Sequence, residues 1–212
     1  MGSTEIGRQG APSRPLVAFD FDGTLTFRDS FMAFLAWRNG PLRYALGLAA
    51  LAPASLLYMV HRDRGRLKAA AARRFLRGLS RADLANACED FANSSLGRRL
   101  IRPDAERCWA DWKARGAELV IVTASPEEVV APFARRLGAD RLIGTRLAYD
   151  AQDRVEGGFS SANCRGPEKI ARLRSVYGED VRLAAAYGDT SGDREMLELA
   201  EERGYRVFTQ RG

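Results

Sequence analysis

Three short apolar runs organise this chain. Residues 16–20 (Leu-Val-Ala-Phe-Asp), 118–123 (Glu-Leu-Val-Ile-Val-Thr) and 181–187 each give way to a polar or turn-forming stretch: Gly23 and Thr24, then Pro126, then Gly188 and Asp189. Apolar runs of that length, without strict alternation, are the pattern of strands buried on both faces of a parallel sheet. Helical patterns occupy 102–115, 126–137, 166–177 and 194–203. Strands alternating with helices predict an α/β fold built on a doubly wound parallel sheet. In such sheets the ligand binds beyond the carboxyl ends of the strands, where the strand order switches. The polar residues that follow the three runs are therefore expected to share one site.

About 95 residues separate the first run from the second, too many for one crossover. Residues 30–99 accordingly read as an insertion, almost wholly helical: a cap on a Rossmann-like core made of 16–29 and 100–212. Residues 1–15 are polar and Gly-containing, with no apolar stretch of the signal-peptide kind, and are expected to form a frayed leader.

Inside the insertion, residues 44–60 carry no charge and are interrupted by Gly47, Pro53 and Ser55. A helix that spans a bilayer needs about 20 such residues. A single crossing would also put Asp20 on the opposite side of the membrane from Thr123, Lys169 and Asp189, and no second span follows before Leu119. Two readings stay open. The run is a helix pair broken at Pro53 and buried in the cap, or it lies in the interface of an anionic membrane beside the apolar 31–37. In the second reading Arg38, Arg43, Arg62, Arg64, Arg66 and Lys68 flank it as lipid-facing cations.

Composition narrows the partners. With 212 residues, 46% hydrophobic and 28% charged, the chain suits one core plus an inserted subdomain. A net charge of +6 favours anionic partners such as phosphates or acidic lipid. The arginines are scattered and no nucleic-acid motif occurs, so no nucleic-acid partner is expected. Cys88, Cys108 and Cys164 fit neither a metal motif nor a closed set of disulfides, which predicts reduced thiols and a cytoplasmic location. The sequence carries no sign of the oligomeric state.

The candidate chemistry sits at the strand ends. Phosphate esters are among the slowest biological bonds to hydrolyse, and a phosphatase needs a nucleophile, a proton donor and dense positive charge. Asp20 and Asp22, two apart in an extended segment, project the same way. Gly23 and Thr24 let the chain turn with its N–H groups free to face phosphate oxygens. Each residue also has a plainer reading. Asp-x-Asp-Gly alone is a solvated turn, Lys169 alone a surface helix residue, and Asp193 a cap for the helix that begins near Arg194. His61, the only histidine, reads as solvated, and Trp109 and Trp112 as core. Glu156-Gly-Gly-Phe is too short for a dinucleotide loop, and no GxxxxGK[ST] occurs.

Asp20-Phe-Asp-Gly-Thr-Leu-Thr26 resembles the first motif of the haloacid dehalogenase (HAD) phosphatases. Thr123 after an apolar run resembles the second motif, Lys169 the third, and Gly188-Asp-Thr-Ser-Gly-Asp193 the acidic fourth. Together they span nearly the whole chain in the family's order. The resemblance implies that Asp20 attacks phosphorus to form an aspartyl phosphate and that Asp22 serves as general acid and base. It implies Mg²⁺ held by Asp20, the backbone carbonyl of Asp22 and Asp189, with Asp193 in or beside that shell. Phosphate contacts would come from Gly23, Thr24, Thr123, Ala124 and Lys169, with Arg165 as a further phosphate or headgroup contact.

Thr-Ala-Ser-Pro-Glu at 123–127 and Asn163-Cys-Arg-Gly-Pro-Glu-Lys169 are similar to the phosphoserine-phosphatase-like subfamily, and the arrangement resembles the phosphatidylglycerophosphatase C enzymes within it. That implies a lipid phosphomonoester as substrate and a peripheral position on the inner face of a membrane. The fourth motif departs from the G-D-G-x-N-D usual in phosphoserine phosphatases, and no cap Glu–Arg pair for an amino acid is evident. The alternative is a soluble phosphatase for phosphoserine or another small metabolite. A non-catalytic binding protein of this fold would have no need of the full set of catalytic side chains.

Overall fold

The first apolar run becomes the central strand of a sheet. In the computed structural model β1 (Leu16–Phe19) lies between β2 (Glu118–Pro126) and β6 (Leu183–Gly188), with β3 (Arg141–Thr145) outside β2 and β7 (Ala200–Tyr205) outside β6. The order is β3-β2-β1-β6-β7, and every pairing is parallel. The structure describes residues 14–51 and 64–211. Outside them lie the leader up to residue 13, residues 52–60 of the apolar run with Pro53 and Ser55, His61 and Arg62.

Residues 30–99 leave the sheet between β1 and β2 as the described helices α1 (Ser30–Ala50), α2 (Arg64–Leu76), α3 (Arg81–Asn93) and α4 (Ser95–Arg98). The crossovers of the core are α5 (Pro103–Ala114), α6 (Glu127–Leu137), α7 (Pro167–Tyr177), a 3₁₀ turn (Ser191–Asp193) and α8 (Arg194–Glu198). Both faces of the sheet are covered, which is why its inner strands do not alternate in polarity. Val17, Phe19, Leu119 and Ile121 pack with Trp109 of α5 and Val129 and Phe133 of α6. Ala18, Val120 and Val122 face the other way, onto Leu173 of α7 and Met196 and Leu197. Trp109 is core, as expected; Trp112 is partly buried and donates its indole N–H to the Tyr187 hydroxyl at 2.9 Å.

Two expectations need correction. The helix expected over 194–203 ends at Glu198, and the residues after it form the edge strand β7, with Leu183 opposite Ala200 and Tyr187 opposite Gly204. The segment Ala-Glu-Glu-Arg-Gly-Tyr has helix-forming side chains, and pairing with β6 overrides that preference because only Ala200 and Gly204 need burial. The last two residues of the expected leader, Arg14 and Pro15, are also tied to the core. Arg14 donates to Gly116 O (3.0 Å) and Ala117 O (2.8 Å), and Pro15 O accepts from Glu118 N (2.8 Å). Separately, α1 breaks at Gly40-Pro41, a break the sequence reading did not place; Pro53, where a break was expected, lies outside the described residues. Gly40 takes φ 71°, open to glycine, and Pro41 restarts the helix without an N–H to satisfy.

The insertion 30–99 is helical in its described parts, but the core also sends it a β-hairpin, β4 (Leu147–Tyr149) and β5 (Val155–Phe159). Gly78 N donates to Val155 O and Val155 N to Leu79 O, both at 2.8 Å, tying that hairpin to the α2–α3 junction. The three cysteines are free. Among the described residues, no helix is long and apolar enough to cross a membrane.

Candidate active site

The polar residues that follow β1, β2 and β6 do meet, in a cavity of about 320 Å³ at the carboxyl edge of the sheet. Asp20, Asp22, Gly23, Thr123, Ala124, Arg165, Lys169, Asp189 and Asp193 all line it. Thr24 sits just beneath, buried, with its hydroxyl donating to Asp20 Oδ2 at 3.3 Å.

Asp20 continues β1 by one residue: its N–H donates to Tyr187 O of β6 at 2.9 Å, so the sheet itself sets its position. Lys169 rises from the first turn of α7 and is 1% exposed. Its ammonium donates to Asp20 Oδ1 (2.6 Å), Val122 O (2.6 Å) and Asp193 Oδ1 (2.7 Å), using all three protons. A buried lysine is tolerable only with that degree of pairing. Burial pushes the Asp20 carboxyl up to about 7, with Lys169 opposing and Asp193 and Asp22 adding to the rise. Burial also works against the Lys169 charge, but Asp20 and Asp193 more than offset it and hold the ammonium above its ordinary range.

Asp189 and Asp193 come from the turn after β6. Carboxylate oxygens of Asp20, Asp189 and Asp193 lie within 4.8 Å of one another, which is ligand spacing for one cation. Asp189 is held lightly: its Oδ1 lies 3.5 Å from the Thr24 hydroxyl, whose one proton it shares with the nearer Asp20 Oδ2, and burial followed by the Asp193 charge pushes it up. Gly23 makes room for it. Gly23 has φ 90°, and a Cβ there would come within 2.3 Å of Asp189 Oδ2.

Asp193 differs. Its Oδ2 accepts from Thr190 N and Thr190 Oγ1, both at 2.9 Å, closing a capping box around the 3₁₀ turn, while Oδ1 is on Lys169. Burial alone would raise it, and Lys169 with the Thr190 donors brings it below the usual carboxylate range. It makes no side-chain cap bond to α8, so the expectation that it caps that helix is corrected: its oxygens are turned back onto Thr190 and Lys169.

Asp22 points to the cap. Oδ1 accepts from Ser30 N at 2.7 Å, and Oδ2 accepts from the hydroxyl of Ser125. Lys68 of α2 reaches in from above, 3.6 Å from Asp22 Oδ2 and 3.1 Å from Asp29 Oδ2, and donates to Ser125 Oγ at 3.0 Å. This corrects the reading of Lys68 as a lipid-facing cation: its ammonium is drawn into the cavity by two carboxylates. Burial and then Asp29 push Asp22 up. Asp29 also caps α1 by accepting from Met32 N at 2.9 Å. Arg165 is committed as well, donating to Thr190 Oγ1 (3.2 Å) and Ser191 Oγ (3.1 Å). Ala124 O accepts from Thr145 Oγ1 at 3.0 Å.

Lys68, Ser125, Asp29 and Ser30 border the site although sequence reasoning placed none of them there. Ser125 lay within the quoted Thr-Ala-Ser-Pro-Glu segment, two residues after Thr123, and that spacing was its only signal. Lys68 had none, since only the packing of α2 brings it to β1.

Residues 17–198 match the haloacid dehalogenase-like hydrolase family. Protein CicA of Caulobacter vibrioides is 58% identical over 193 residues, which is 91% of this chain and 86% of CicA. A solved structure of a Bordetella pertussis Tohama I protein of unknown function superposes with TM-score 0.68 at 26% identity, covering 87% of this chain and 86% of that one. Substrate-bound phosphoserine phosphatase shares the fold with TM-score 0.60 at 19% identity, covering 92% of this chain and 87% of that one.

Proposed function

We propose, from the premise that this chain belongs to the haloacid dehalogenase-like hydrolase family, that it hydrolyses a phosphomonoester through a covalent phosphoryl group on Asp20. One observation carries this reading. Asp20 stands on a buried ammonium, beside two further acidic residues, in a cavity at the carboxyl edge of the sheet. Lys169 and the fixed hydroxyl of Thr24 hold the Asp20 carboxylate in place for attack on phosphorus. Thr123 accepts from Ser125 N at 3.1 Å, which leaves its own proton to donate to a phosphoryl oxygen. Asp22, across the cavity, gives a proton to the leaving oxygen and later takes one from water.

The donor set fits a hard divalent cation such as Mg²⁺. It is all oxygen, and Asp189 is half-buried with a single weak partner. Asp20, Asp189 and the backbone carbonyl of Asp22 would hold the ion, which when bound supplies charge neutralisation around the phosphoryl group. Asp193, with its oxygens engaged elsewhere, acts by holding Lys169 and the turn.

The cavity, lined by charged side chains and bounded by Phe27, Arg28 and Asp29 at the start of the insertion and by Lys68 of α2, supports a compact phosphorylated metabolite or headgroup as substrate. A second reading, a lipid phosphate such as phosphatidylglycerophosphate met at an anionic membrane, is favoured by the second half of α1. There Leu42, Leu46 and Leu48 are exposed (71%, 59% and 37%) close to Arg38 and Arg43. Phosphate release with Mg²⁺ from phosphoserine, phosphatidic acid and phosphatidylglycerophosphate tests both readings, alongside co-sedimentation with anionic vesicles. Turnover is expected in the wild type and, in Asp20→Asn, a loss on the order of 10⁴-fold or more. Turnover retained in that variant rules out the covalent route.

A further inference from the structure

Asp22 and Asp20 are two residues apart, but only Asp20 is anchored by the sheet. What aims Asp22 is a relay that crosses from the cap to β2. Lys68 Nζ lies 3.0 Å from Ser125 Oγ, and an ammonium can only donate. The serine oxygen is therefore the acceptor from Lys68, and its single proton is left to point at Asp22 Oδ2, where the hydrogen bond is made. The direction of both bonds follows from valence. With Ser30 N on Oδ1 at 2.7 Å, each oxygen of Asp22 is tied, and the carboxyl cannot rotate.

The backbone arranges this deliberately. The pairing of β2 with β3 is regular to Val122, opposite Ile143, and resumes at Pro126, opposite Thr145, with a register shift between. Irregularities of this kind at a strand end re-aim side chains. Here the shift leaves Thr123 on the cavity wall and turns Ser125, fully buried, behind Asp22. Thr145 fills the interrupted ladder by donating to Ala124 O at 3.0 Å. Ser125 is not among the residues that line the cavity, so it does not touch the substrate.

We propose that Ser125 is a positioning residue for the proton-transfer step. It seats the Asp22 carboxyl, and Lys68 seats Ser125, so that the acid is correctly aimed only with the cap closed on the core. The inference rests on the phosphatase reading. It assigns no bond-making role to Ser125: the proton transferred to the leaving oxygen comes from Asp22, and the Ser125 proton stays on Ser125.

Leaving groups that differ in their need for a proton provide the test. β-Glycerophosphate releases an alkoxide that must be protonated, whereas 2,4-dinitrophenyl phosphate releases a phenolate stable without one. The quantity read is the ratio of kcat/KM for the two substrates, with Mg²⁺ present and Tm recorded for each variant. Ser125→Ala is expected to lose on the order of 10²-fold on β-glycerophosphate, the scale of general acid catalysis, and about tenfold or less on the dinitrophenyl ester. Ser125→Thr, which keeps a hydroxyl, should hold the wild-type ratio. Lys68→Met, which breaks the relay from the cap end, should lower the ratio in the same direction by less.

Equal losses on both substrates, or a ratio unchanged in both Ser125→Ala and Lys68→Met, would overturn the proposal and leave Ser125 a packing residue. Wild-type protein inert toward both esters would instead bring down the phosphatase reading, and this inference with it.

Discussion

The core half of the site and its cap half are built on different principles, and Asp20 and Asp22 mark the boundary. Asp20 is bonded through its backbone to β6 and through its side chain to Lys169, at the start of α7. Both partners belong to the same doubly wound layer and are fixed once the sheet forms. Asp22 depends on Ser30 and Lys68, which arrive on cap helices, and on Ser125, whose aim comes from a strand irregularity. The Asp20 end of the site is therefore as rigid as the fold. The Asp22 end is only as well formed as the contact between the inserted helices and the core.

Lys169→Met is the harshest way to break that contrast. It leaves Asp20 and Asp193 buried without their shared cation, and removing one member of a buried pair costs about 3–5 kcal/mol. Urea unfolding of the metal-free variant should show that loss, together with a fall in turnover on the order of 10³-fold. A loss under about 1 kcal/mol would mean that the core half is not held by charge pairing.

Mg²⁺ and pH sharpen the comparison at intermediate size. Folding raises the Asp20 carboxyl from 3.8 to about 7, so the folded metal-free protein holds that proton more tightly than the unfolded chain. The stabilisation from this group is complete below about pH 4 and is lost as pH rises through about 7. Asp193, held low, acts in the opposite sense and only in more acid solution. A cation that binds the ionised form removes the penalty on Asp20. The rise in Tm on adding saturating Mg²⁺ should therefore be larger near pH 8 than near pH 5, as scanning calorimetry would read; an equal or smaller rise would take Asp20 out of the ligand set.

The smallest effect is expected where cap and hairpin meet in solvent. Arg81 pairs with Asp153 at 2.8 Å and stacks 3.6 Å above the Tyr149 ring, but both charged side chains are more than half exposed. Exposed pairs contribute at most about 1 kcal/mol. Arg81→Ala should shift Tm by only a few degrees and leave p-nitrophenyl phosphate turnover unchanged. A large fall in turnover would show that the hairpin, tied to the α2–α3 junction through Val155, helps to seat the cap.

Much of the core half was legible because it is local. An apolar run that ends in Asp-x-Asp-Gly predicts a buried strand with carboxylates at its tip, and a lysine at the start of the third crossover needs only the strand order to meet them. Edge elements were not legible. β7 carries Glu201, Glu202 and Arg203 in a short stretch with no apolar stripe, and its identity comes from backbone bonds to β6. Lys68 illustrates the same limit from the other side, since a basic residue near an apolar run reads as a surface cation until α2 is folded over the cavity.

By itself the sequence determined the three central strands of the sheet and which residues stand at the carboxyl ends of β1, β2 and β6, because those features are written in short runs of polarity and in backbone turns. Only the tertiary structure decided that Lys68 faces Asp22 and Asp29, that Ser125 turns behind Asp22, and that Asp193 serves Lys169 and Thr190. The contacts of Lys68, Ser125 and Lys169 join side chains on elements packed together by apolar surface, and polarity along a chain does not encode which polar groups such packing brings within about 4 Å of one another.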